Sequence, residues 1–217
     1  MAITINGNGT LAGVSVGGLP DGIVDTDMLA ANAVATAKIA NSAVTSAKSS
    51  GLATTNGITH ANIYRLHTNF THSGTHTVLT NWEEADDASS GKLGSGWSTP
   101  SSGVFSFPTT GIYLVRARYN IRCTGENGWP GLDIKVTQNN GGAYDLVAEA
   151  FQGVSDLSTS STYSSGTTEA IVDCTDTGQV KFTTTAFADG NGTADVVFEG
   201  SSSLNKTAVS IIRLGDT

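Results

Sequence analysis

The chain has 217 residues, of which 38% are hydrophobic and only 14% charged, with 26 glycines and a formal net charge of −8. A glycine-rich, weakly charged composition of this kind suits a β-rich protein with many turns and little helix. The acidic balance excludes a protein that works by neutralising phosphates, so no nucleic-acid partner is expected. No run of 18 apolar residues occurs, so no transmembrane helix and no membrane insertion are expected.

One count divides the chain. The 3 Trp, 5 Tyr and 7 Phe residues all lie between Tyr64 and Phe198. A segment of about 60 residues without an aromatic side chain is poorly supplied to bury a core of its own. Three segments are therefore expected: an N-terminal arm over 1–23, a repeat shaft or linker over 24–56, and a globular head over 57–217.

In the arm, Ile3 and Ile5 alternate, Asn6-Gly-Asn-Gly9 turns, and Leu11, Val14 and Val16 follow. Asn-Gly between such runs predicts a hairpin or an extended arm. Gly13-Val-Ser-Val-Gly17 matches the pattern of a hydrolase nucleophile elbow, but its short glycine-rich flanks offer no strand-to-helix turn. MAITINGNGT lacks a basic start and an apolar core, so no secretory signal is expected.

From 24 to 49 the sequence repeats every ten residues. Val24, Val34 and Val44 keep that step, and Leu29 and Ile39 lie midway. An apolar residue every five positions makes neither a helical stripe nor one face of a strand. A unit of turn plus extended piece accommodates it, and would need neighbouring copies to bury its apolar residues. A short helix, favoured by the alanines, and a flexible linker are the other readings.

The head reads as short strands. Ala61 to His72 is a first strand, and a loop passes through Asp86 and Asp87. Phe105 and Phe107 precede a turn at Pro108 to Gly111. From Ile112 to Arg122 alternation is strict: Tyr113, Val115, Ala117, Tyr119 and Ile121 on one face, Ile112, Leu114, Arg116, Arg118, Asn120 and Arg122 on the other. Period two with β-branched and aromatic residues predicts a strand with one buried face. Leu132, Ile134 and Val136 make another strand, and Asn139 to Gly142 turns into Tyr144 and Leu146. A Ser/Thr-rich loop is expected over about 155–167. Ala170 to Cys174, Val180 to Phe182, Val196 to Phe198 and Thr207 to Gly215 complete the set. Many short strands between Gly, Asn and Asp turns mean a sandwich, barrel or jelly roll.

Candidate chemistry is sparse. His60, His67, His72 and His76 are candidate metal ligands if copies of the chain converge, but their spacing is irregular and surface roles are the simpler reading. Asp189, Asn191, Thr193 and Asp195 place oxygens at alternate positions as a calcium loop does, yet Gly200 stands where that loop carries glutamate, and a plain turn explains them. Cys123 and Cys174 form no paired metal motif; buried thiols are expected over a disulfide. No cofactor and no catalytic site are expected.

The segment Gly103, Phe105, Pro108, Gly111, Tyr113 and Val115, with Trp97 before it, resembles the central signature of the complement-globular-head and tumour-necrosis-factor superfamily. The closing segments EAIVDCTDTGQVKFTTTAF and NKTAVSIIRLG are similar to the family's last strands. The resemblance covers roughly 60–215. It implies an all-β jelly-roll sandwich assembled as a homotrimer, with a binding or structural role and no catalysis. The family often has an aromatic in the closing strand, where this chain has Ile211, Ile212 and Leu214, so the packing there would differ. The arm and TAKIANSAVTSAK are similar to the start and shaft repeats of bacteriophage virion proteins, whose N-terminus attaches to the particle. The joint expectation is a non-enzymatic virion protein, assembled in the host cytoplasm. It would be a trimeric short tail fibre or knob that meets other virion proteins through its arm and a host-surface glycan or receptor through its head. The alternatives are a capsid decoration protein and, from another class, a soluble carbohydrate-binding lectin or adhesin. Candidate trimer-interface residues are Val24, Leu29, Val34, Ile39, Val44, Ile112, Leu114, Arg116 and Arg118.

Overall fold

The computed structural model describes residues 4–5, 11–12, 34, 39, 57–72, 76–124, 128–155, 161–188 and 196–217. The chain divides into two compact units, Met1–Thr54 and Thr55–Thr217.

In the first unit, β1 (Thr4–Ile5) and β2 (Leu11–Ala12) pair antiparallel, Thr4 opposite Ala12 and Ile5 opposite Leu11. Of the two readings, hairpin or extended arm, this antiparallel pairing agrees with the hairpin, and Asn6 to Thr10 lie outside the described residues. Of the repeat, Val34 and Ile39 are described, and both are exposed in the single chain. Val24, Leu29 and Val44 lie outside the described residues, as does the Gly13 to Gly17 motif.

The second unit opens with β3 (Ala61–Leu66), β4 (Phe70–His72), β5 (Thr77–Val78) and β6 (Trp82–Glu84). Then come β7 (Val104–Ser106), β8 (Gly111–Cys123), β9 (Gly131–Thr137) and β10 (Asp145–Phe151). The last four are β11 (Thr162–Cys174), β12 (Lys181–Phe187), β13 (Val196–Phe198) and β14 (Ala208–Gly215). No helix occurs among the described residues. Two antiparallel sheets form. The smaller runs β10-β9-β12-β5, with β7 also on β12; the larger runs β4-β13-β8-β14-β3-β6, with β11 on the other edge of β8. Their inner faces meet over one core, and the jelly-roll sandwich expected from the sequence is the architecture found.

β8 organises the larger sheet. Tyr113, Val115, Ala117, Tyr119 and Ile121 are all buried, as the alternation predicts. One edge of β8 pairs with β11 along its whole length. The other takes β14 against Ile112 to Arg118 and β13 against Ile121 to Cys123. Two departures from the sequence reading follow. The Ser/Thr-rich segment is not a loop through 167: β11 begins at Thr162, because β8 supplies thirteen residues of ladder for it, with Ser165 and Thr167 facing outward while Thr162, Ser164 and Thr168 take the core side opposite Cys123, Ile121 and Ala117. The strand expected from Ala61 to His72 is two strands. β3 pairs β14 and β4 pairs β13, so the chain steps sideways between them, held where Gly200 N–H donates to Asn69 Oδ1 (2.9 Å).

The signature residues have physical reasons. Gly103 sits at φ +78°, where a Cβ would collide with the Leu79 carbonyl oxygen. Gly111, at φ +147°, admits Arg213 Nε and the Gly215 carbonyl within 2.5 and 2.6 Å of where a Cβ would lie. Phe105 stacks on Phe182 at 4.5 Å and meets Tyr64 and Trp82 edge-on. Tyr113 is buried, and its hydroxyl donates to the Thr109 carbonyl (3.0 Å), closing the turn at Pro108.

Candidate functional site

The outer face of the larger sheet, turned away from the core, is the most differentiated surface of the second unit. Strand pairing arranges it in rows. Ala61, Ile212, Leu114 and Ile171 form one, and Ile63, Ser210, Arg116 and Glu169 the next. Arg65, Ala208, Arg118 and Thr167 form a third. Side chains in such rows stand close enough to interact across strands.

The first row, with Ile112 and Leu214 beyond it, is an aliphatic end. Ile171 is 69% and Leu214 50% exposed, while Ile112, Leu114 and Ile212 are half-buried. In the second row Arg116 donates through Nε and Nη2 to Glu169 Oε2 (2.9 and 2.7 Å). Both side chains are half exposed, so the pair adds little stability.

The third row holds two arginines of opposite fate. Arg65 is fully buried, although its strand position turns it outward. It donates to Glu83 (2.6 Å), Asp86 (2.5 Å), Asp87 and the Ser202 carbonyl. Burial opposes its charge, but the hydrogen bonds to Glu83 and Asp87 outweigh that and hold its pKa above the ordinary value. Arg118 is exposed and makes no side-chain bond among the described residues. It lines a depression of about 350 Å³ with Ile63, Arg116, Thr167, Asn205, Ala208 and Ser210, in which Asn205 Oδ1 is buried without a partner.

A second unpartnered region is β10. Among the described residues it pairs only with β9 and exposes Asp145, Leu146, Val147, Glu149 and Phe151. An edge strand carrying this much apolar surface is ready to meet another chain.

The four histidines lie in four settings. His60 meets Trp97 edge-on, and His67 pairs with Glu83. His72 is buried beside Phe70, while His76 stacks on Phe187 and bonds Asp133 Oδ2 at 3.1 Å. Among the described residues, no three His, Cys, Asp or Glu side chains are placed to hold one metal ion. Asp189, Asn191, Thr193 and Asp195 fall outside the described residues.

Cys123 and Cys174 are buried free thiols. Cys123 stands opposite Thr162 and Cys174 opposite Gly111, at the two ends of the same ladder, so the chain places them ~40 Å apart. That is far beyond disulfide reach. Burial raises both pKa values, that of Cys174 to about 11 with Asp176 and Asp173 adding to the effect.

The sequence alone brought Ile112, Leu114, Arg116 and Arg118 to one face, and the structure keeps them there. It did not reveal Arg65, whose carboxylate partners come from 83–87. Nor did it reveal Tyr163, hidden in the segment read as a loop.

No protein-family model matches the chain, and no curated protein sequence matches it. Among solved structures, the chain is similar to the Eiger TNF of S. frugiperda at 12% identity and TM-score 0.49, over 72% of this chain and 93% of that one. It is also similar to murine APRIL at pH 8.5, at 15% identity and TM-score 0.44, over 71% and 98%. The same murine protein at pH 8.0 gives 14% identity and TM-score 0.45. These are likenesses of fold outline, and the functional reading rests on the residues of this chain.

Proposed function

We propose that the protein is a non-enzymatic, homotrimeric attachment protein of a bacteriophage virion. In this reading the first unit docks to the particle and its repeat holds three chains in register. The second unit is the outward head, a short tail fibre or knob. The observation that carries the trimer is the presence of two different unpartnered surfaces on one head. The aliphatic end and Arg118 make one; the acidic, apolar edge β10 makes the other. A three-fold ring needs such a pair, because each contact joins one patch to a different patch on the next copy. Charge complementarity supports the pairing, with Asp145 and Glu149 on one side and an unmatched guanidinium on the other. Glu149 and Arg118 would gain from contact, and the half-buried aliphatic residues would complete their burial as in an obligate interface.

The virion assignment is supported by the arm and repeat sequences. Roughly 25 residues of repeat reach at most ~90 Å even fully extended, so a short fibre suits them better than a long host-probing one. A capsid decoration protein would use the same short spacer.

Native mass of the full chain tests the trimer: the expected value is three chains, and a single chain at micromolar concentration overturns the reading. Antibody labelling of intact particles tests the rest. Label at the tail tip supports the knob, label over the capsid shell supports decoration, and absence from particles removes the virion role.

A further inference from the structure

The outer face of the larger sheet has a second end, chemically unlike the first. There Asn120, Ile121, Tyr163, Ser164, Ser165 and Glu199 line a depression of about 210 Å³. The ladder between β8 and β11 sets Ser165 opposite Asn120 and Tyr163 opposite Arg122, so Asn120, Ser165 and Tyr163 share the outward face. Glu199 is tied to the same spot because its N–H donates to the Asn120 carbonyl (2.8 Å). Its carboxylate is mostly buried and takes Lys206 Nζ on Oε2 at 3.3 Å.

The unused bonding capacity is specific. The Asn120 side-chain amide and the Tyr163 and Ser165 hydroxyls make no side-chain bond among the described residues. Tyr163 is 63% exposed, an aromatic ring presented to solvent beside them. An amide and hydroxyls that both donate and accept, next to a carboxylate that accepts, match the adjacent hydroxyls of a sugar. The face of an aromatic ring, electron-rich at its centre, matches the C–H face of a pyranose. Other ligand classes match poorly. An apolar ligand would leave the Asn120 amide unpaired. A peptide cannot add as a strand to β8, which is paired on both edges here by β11 and β13, and one added at the open edge of β11 would bond backbone and leave the outward Asn120 and Tyr163 side chains unused. A drug-sized molecule needs pockets from ~300 Å³ upward, and this depression is smaller.

We propose that this depression is a binding subsite for one neutral hexopyranose unit of a glycan. Tyr163 is the stacking face, and Asn120, Ser165 and Glu199 are the hydroxyl partners. The proposal deepens the reading of the head as an attachment domain, and rests on it only in that this end of the face stays uncovered in the assembly. From Leu114 to Arg122 the strand runs about 26 Å, so an interface on the aliphatic end leaves the other end free. Weak single-sugar binding would be multiplied by three linked heads.

The test uses the full chain with free glucose, galactose, mannose and N-acetylglucosamine, read by saturation-transfer NMR, with native mass measured on every variant. Wild type is expected to receive saturation on one ring face of at least one of these sugars. Tyr163→Phe keeps the stacking ring and is expected to keep binding, whereas Tyr163→Ala weakens it about tenfold without changing native mass. Trp129→Ala, an exposed aromatic on another surface, is expected to leave it unchanged. No response to any of the four sugars, or an unaltered response in Tyr163→Ala, overturns the subsite. A change of native mass in Tyr163→Ala overturns it too, by making Tyr163 an interface residue. A monomeric wild type that binds hexose through Tyr163 sinks the trimer and leaves the subsite standing.

Discussion

Arg65 and Arg118 stand in one row of one sheet, separated by Ala208, and the fold treats them in opposite ways. Around Arg65 the chain brings Glu83, Asp86, Asp87 and the Ser202 carbonyl, so every arm of the guanidinium is satisfied and the side chain vanishes from the surface. Arg118 forms no ion pair among the described residues, and the depression it lines holds no acidic side chain. A guanidinium buried with its own carboxylates fixes a corner of the domain, where the loop after β6 and the loop before β14 meet. A guanidinium left open on a partly aliphatic face is available to another molecule.

The largest expected effect breaks the first half of that contrast. Arg65→Ala leaves three carboxylates facing one another without their counter-charge. A loss of about 3 kcal/mol is expected, at the low end for a broken buried pair because Asp86 and Asp87 reach water. A urea midpoint at fixed protein concentration reads it; a loss under about 1 kcal/mol would show that Arg65 is not the pin of this corner. Next, Leu114→Glu puts a charge at the centre of the aliphatic end. Its own chain tolerates it, since the site is only half-buried, but association is expected to weaken about 100-fold, or roughly 2.7 kcal/mol. Sedimentation over a range of concentrations would show trimer giving way to monomer, and an unchanged trimer would place the interface elsewhere.

The contrast also marks what was legible in the sequence. β8 was readable residue by residue because period two is a local property, set by which side of the pleat each residue faces. The sandwich was readable because turn residues and short alternating runs are local as well. Arg65 was not, because its burial depends on Asp86, Asp87 and Ser202, brought together from 21, 22 and 137 residues away. β11 was half legible. Ala170 to Cys174 alternates in apolar residues, whereas Thr162 to Thr167 owes its strand to the ladder with β8, and no composition rule separates that from a Ser/Thr loop. The hexose depression was hidden for the same reason, since Tyr163 becomes a neighbour of Asn120 only through that ladder.

Arg118→Glu sharpens the second half of the contrast. If the neighbouring surface is the acidic β10 edge, reversal sets like charges together, and association falls about tenfold, more at low salt than at high. A trimer as tight as wild type would mean that Arg118 faces solvent. Alkaline pH probes burial of another kind. The Cys174 thiol has its folded pKa raised from 9.0 to about 11, so the unfolded chain ionises first. That stability is complete below pH 9 and drains away as pH rises toward 11. Denaturant midpoints should fall over this window in wild type and fall less in Cys174→Ala. A maleimide should leave both cysteines of the native protein unlabelled at pH 7.5.

Arg116 closes the series, with the smallest effect. It stands one row from Arg118 on the same strand and has a partner, Glu169, on β11. If partnership alone fixed a corner, Arg116→Ala would resemble Arg65→Ala. Both side chains of the pair are half exposed, however, and water replaces each bond when one partner is removed. The expected cost is no more than about 0.5 kcal/mol, and it should shrink further in high salt. A cost near that of Arg65→Ala would mean that Arg116 is buried in the working assembly. The interface would then extend from the aliphatic end across the second row, and the depression beside Arg118 would be filled by the neighbouring chain.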